Sequence, residues 1–134
     1  GPTPATWTEV HASPGSPARG MRWAVAEGEV GGPRNAETYL CIANTTQSIA
    51  AVNVTLLFED GTTTSRWYHI WGNSRLSVSV KDDFPLSAGK RFGALVESST
   101  IHVGQLVVEW SMYSDAGGVK WAAGANASAT LLKR

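Results

Sequence analysis

The chain has 134 residues, the size of one ordinary domain and enough to bury a core without a disulfide or metal staple. Its 11 basic and 11 acidic side chains cancel, so no global field draws it to nucleic acid or to an anionic membrane. A single cysteine, Cys41, excludes an internal disulfide, and no stretch approaches the ~20 apolar residues of a membrane-spanning helix.

Residues 1–20 hold four of the six prolines and read as a tail or edge segment ahead of one domain at 21–134. Gly1-Pro2 reads as the scar of a cleaved tag, so the lack of a leader carries no information. TWTEVH (6–11) alternates like a short strand, and SPGSP (13–17) is a turn or linker. RWAVAEGEV (22–30) predicts a strand with Trp23, Val25 and Glu27 on one side, broken by GGPRN (31–35). ETYLCIANTT (37–46) predicts a strand running into a polar turn, with Cys41 a buried, inert thiol. In AAVNVTLLFEDG (50–61), Val52, Val54, Leu56 and Phe58 share one face, and EDG is a turn signal. TTTSRWYHIW (62–71) should pair back as a hairpin. RLSVSVK (75–81) puts Leu76, Val78 and Val80 inward, and 81–90 reads as the longest loop. RFGALVES (91–98) is another strand.

GQLVVEWSMY (104–113) is the stretch around which the rest is organised. Leu106, Val108, Trp110 and Met112 recur at every second position, so one strand face carries all four, with Trp110 as a core anchor. The other face, Gln105, Val107, Glu109, Ser111 and Tyr113, is mixed. SDAGG (114–118) predicts a turn and 119–134 one or two final strands. Eight or nine short strands with turn signals about every ten residues predict an all-β, antiparallel β-sandwich.

Four pieces, YLCIANTT (39–46), VNVTLLFEDGTT (52–63), GKRFGALVES (89–98) and VVEWSMYSDAGGVKWAAGAN (107–126), resemble an uncharacterised domain of large bacterial exported and cell-surface proteins. The likeness spans roughly residues 36–132, and family members tend to carry Arg where Trp110 stands. The resemblance implies an immunoglobulin-like or fibronectin-III-like sandwich, secreted or at the bacterial cell surface, often beside other modules. It supplies no catalytic residue.

The sequence itself offers none either. There is no GxSxG elbow, and His11, His69 and His102 are scattered. Glu59-Asp60 and Asp82-Asp83 are adjacent carboxylates, which point to opposite faces of a strand and make a poor glycosidase pair; they read as turn charges. Asp82, Asp83 or Asp115 with loop carbonyls offers Ca²⁺ oxygens, but DxDxDG spacing is missing, so no cofactor or metal is expected. Asn44, Asn53 and Asn126 head Asn-x-Ser/Thr triplets; in a bacterial protein they are expected to be turn and outward strand residues.

The aromatic run RWYHIW (66–71) carries the sharper expectation. In a strand, Trp67, His69 and Trp71 share one face, and Tyr68 and Ile70 the other. If Tyr68 and Ile70 are core, two indoles stand in solvent ~13 Å apart, a flat platform for the C–H faces of a linear glycan. If Trp67 and Trp71 are core, there is no platform. Trp121 could extend it. The expectation is a non-catalytic extracellular module that binds polysaccharide or cell-surface glycan through Trp67, His69, Trp71 and Trp121. The alternative is a structural spacer or adhesion domain that meets neighbouring domains of a larger chain.

Overall fold

Strict alternation builds the centre of the molecule. In β2 (Glu37–Asn44), Thr38, Leu40, Ile42 and Asn44 are buried and their neighbours are half-exposed. A strand of this kind hides one face and needs a second sheet to cover it. The computed structural model describes residues 18–116 and 119–134, apart from the side chains of 115–126.

The described residues form nine strands: β1 (Arg22–Glu29), β2, β3 (Ala50–Phe58), β4 (Thr63–Ile70), β5 (Ser74–Ser79), β6 (Arg91–Ser98), β7 (Leu106–Ala116), β8 (Val119–Ser128) and β9 (Thr130–Lys133). They make two sheets, ordered β4-β3-β6-β1-β9 and β5-β2-β7-β8, and every named pairing is antiparallel. The molecule is therefore the antiparallel β-sandwich that the alternation predicts. Val52, Val54 and Leu56 of one sheet and Leu40, Ile42, Leu106 and Val108 of the other are wholly buried and belong to one core cluster. β3 and β4 form the expected hairpin, closed by Asp60, whose carboxylate accepts from both the backbone N–H and the hydroxyl of Thr62.

Gly20 exchanges two backbone hydrogen bonds with Leu106. The strand expected at 6–11 and the linker at 13–17 lie outside the described residues.

Several expectations change. Cys41 is half-exposed on the outer face of β2 rather than buried, because its neighbours Leu40 and Ile42 take the inward phase. Glu27 is exposed rather than on the side of Trp23 and Val25, because a register shift between Val25 and Gly28 resets the alternation. β5 stops at Ser79 instead of reaching Lys81: Ser79 caps a single helical turn, α1 (Val80–Asp83), by accepting from the N–H of Asp82. Trp110 is half-buried; it packs against the core without being part of it. Among the described indoles Trp23 is the buried one, as its place beside Val25 predicts, with Nε1 donating to the carbonyls of Gly20 and Leu106 at 3.2 and 3.1 Å. Asn44 points inward rather than into a turn or solvent, at 1% exposure.

Candidate binding face on the five-stranded sheet

The phase of β4 is set by what its inward residues touch. Ile70 is buried opposite Ala50. Tyr68 packs against the core and donates its hydroxyl to Asp83 Oδ2 at 2.8 Å. Arg66 stacks over the Tyr68 ring at 5.6 Å and donates to the carbonyl of Asp83 at 3.4 Å. Together these contacts tie the sheet edge to α1. Burial, and then the hydrogen bond to Asp83, push the Tyr68 phenol well above its ordinary pKa.

With Tyr68 and Ile70 committed inward, Trp67 and His69 face solvent. Trp67 is 56% exposed, and Trp71, just past the end of β4, is 73% exposed. Trp67 stands in a row that crosses four strands: Trp67 opposite Asn53, Asn53 opposite Glu97, and Glu97 opposite Arg22. Glu97 Oε2 meets Arg22 Nε at 3.1 Å. Asn53 Oδ1 accepts from the Thr55 hydroxyl at 3.1 Å. The outer face thus offers an indole, a carboxamide and a neutralised ion pair side by side.

Trp71 is held by its backbone. Its carbonyl accepts from the Ser74 hydroxyl at 2.8 Å and from Asn44 Nδ2 at 3.3 Å. Asn73, at φ 53°, donates its N–H to the carbonyl of Thr46. Gly72 lies so close to the carbonyl of Gln47 that a Cβ there would collide with it. The turn carrying Trp71 is therefore clamped against the turn that follows β2.

The remaining expected site residues fall as follows. His69 is exposed opposite Ala51, whose N–H donates to the carbonyl of His102, so two histidines flank one alanine. No group of three or more His, Cys, Asp or Glu placed to hold a metal occurs among the described residues. Trp121 lies in β8 opposite Ser114, and its side chain is outside the described residues, as is that of Asp115. Asn53 is outward as its place in the strand predicts, but nothing local in the sequence joins it, Glu97 and Arg22 to Trp67; only the register of β3, β6 and β1 does.

The chain matches no protein-family model and no curated protein sequence. Its fold is similar to the crystal structure of Thermotoga maritima 1070, with a TM-score of 0.72 and 18% identity over 85% of this chain and 96% of that one. It is also similar to the Anabaena sensory rhodopsin transducer, with a TM-score of 0.55 and 20% identity over 67% of this chain and 80% of that one. Both likenesses are of fold. No helix among the described residues is long and apolar enough to cross a membrane.

Proposed function

We propose that this chain is a non-catalytic binding module that takes a linear glycan along the outer face of the five-stranded sheet. The exposure of Trp67 and Trp71 carries the reading. Indoles present ~150–250 Å² each, and leaving half or more of that in water forgoes on the order of 2–3 kcal/mol of burial energy per residue. A fold that buries Trp23 almost completely leaves these two outside, and an exposed aromatic surface of this kind suits a ligand.

The chemistry of the row fits a sugar polymer. Trp67 stacks against the C–H face of a pyranose ring, Asn53 offers a donor and an acceptor to ring hydroxyls, and the Glu97–Arg22 pair adds both without net charge. The openness of the face suits an extended chain rather than an enclosed small molecule. The setting we propose, supported by the sequence resemblance, is an immunoglobulin-like module of an exported bacterial surface protein. Titration with soluble polysaccharides, read by tryptophan fluorescence, tests the reading: Trp67→Ala should abolish the response while leaving the fold intact. No response to any polysaccharide would overturn it.

A second reading makes the same edge a protein-docking strand. Among the described residues β4 pairs only with β3; it runs eight residues without proline, and no described strand covers its other backbone edge, where a strand from a neighbour could add. One structural neighbour, alike in fold, is by name a sensory rhodopsin transducer. Self-association that rises with concentration, with no glycan response, would favour this reading.

A further inference from the structure

The opposite side of the molecule has a different relief. On the outer face of the four-stranded sheet, small residues make a low floor: Cys41 of β2 lies between Ser77 of β5 and Glu109 of β7, and Tyr39 lies between Ser79 and Ser111. Larger side chains stand around that floor. Tyr39 and Tyr113 meet edge to face, with ring centroids 5.8 Å apart and planes at 79°. The Tyr39 hydroxyl donates to Glu37 Oε1 at 2.8 Å, which orients the ring. At the other end Arg75 reaches in from the edge strand, its Nη1 3.9 Å from Cys41 Sγ. The result is a depression of about 440 Å³, within the ~300–1,000 Å³ range of small-ligand sites.

We infer that this depression is a second binding site, separate from the Trp67 face, that holds a neutral sugar of roughly one or two rings between Arg75 and Glu109 at one end and Tyr39 and Tyr113 at the other. A guanidinium supplies parallel N–H donors and a carboxylate supplies acceptors, so the pair matches the adjacent hydroxyls of a pyranose, each of which donates and accepts. The Ser77 and Ser111 hydroxyls extend the same chemistry along the floor. The tyrosine rings give the sugar's C–H face an apolar wall. Charge selects the class. Arg75 and Glu109, the charged side chains among the described residues that line the depression, are of opposite sign, which suits a ligand without net charge. Arg75 bounds the depression at one end and the Tyr39–Tyr113 pair at the other.

The test silences the flat face first. Trp67→Ala/Trp71→Ala, both exposed positions, is titrated calorimetrically with glucose, galactose, mannose, cellobiose, maltose and lactose. We expect at least one to bind, and binding to weaken tenfold or more in Arg75→Ala and in Glu109→Gln, with circular dichroism confirming the fold of each. Cys41, the chain's only cysteine, reports position: bound sugar should slow its alkylation. Sugar binding that disappears in the Trp67/Trp71 variant, or that is indifferent to both Arg75→Ala and Glu109→Gln, overturns this site while leaving the Trp67 face standing. Binding that persists in the tryptophan variant and falls in the other two supports it whatever becomes of the flat face.

Discussion

Asn44 reaches across the end of the sandwich to hold Trp71. Its Nδ2 donates to the carbonyls of Ser48, Ile70 and Trp71 at 2.8, 3.0 and 3.3 Å, while its Oδ1 accepts from the N–H of Thr46 at 3.0 Å. One buried carboxamide therefore joins the end of β2, the turn after it, and the point where β4 hands over to the exposed indole. Asn44→Ala should cost about 2–3 kcal/mol, because it strands buried carbonyls without a donor. Urea denaturation checks the stability. The emission of Trp71 should also change, since its turn loses an anchor.

Three tryptophans should rank by burial. Trp23→Ala removes a 3%-exposed side chain with two hydrogen bonds and should cost ~3–5 kcal/mol. Trp110→Ala should cost less, about 1–3 kcal/mol, because the ring packs against the core but is only partly buried. Trp67→Ala should stay within about 1 kcal/mol of the parent. Denaturant midpoints of the three variants give the order directly, and a Trp110 cost above that of Trp23 would contradict the packing described.

How much of this is legible in the sequence depends on where alternation is unambiguous. In β3, Val52, Val54, Leu56 and Phe58 face residues that cannot all be core, and EDG marks the turn, so the hairpin is readable without tertiary information. In RWYHIW both faces are aromatic. What chooses between them is Ile70 against Ala50 and the Tyr68 hydroxyl on Asp83, 15 residues away, and neither is a local signal. The inward Glu27 fails for another reason: a bulge is one residue of slippage, and a two-residue period cannot show it. The end of β5 does have a signature. Ser79-Val80-Lys81-Asp82 carries a Ser with an acidic residue three positions on, the spacing of a helix start, masked by the run Leu76, Val78, Val80. The depression around Cys41 is foreshadowed by the mixed face of β7, where Glu109, Ser111 and Tyr113 fit neither a core nor a plain solvent face.

Tyr68 should titrate apart from an ordinary phenol. Burial and the Asp83 carboxylate favour its protonated form, so phenolate absorbance should show a late step that belongs to Tyr68. The folded pKa is raised, so the stabilisation is complete below the unfolded value of ~10 and is lost as pH rises from there toward the folded value. Tyr68→Phe should remove both effects: the late step disappears, and stability at neutral pH falls by about 1 kcal/mol for the lost hydrogen bond.

The account stands or falls on whether Trp67 and Trp71 meet a glycan. Acrylamide quenching of tryptophan fluorescence, repeated across a panel of soluble polysaccharides, measures this most directly. The prediction is a strongly quenched population that one polysaccharide shields, with that shielding lost in Trp67→Ala/Trp71→Ala while the buried Trp23 signal persists. Exposed indoles whose quenching no polysaccharide changes would contradict it.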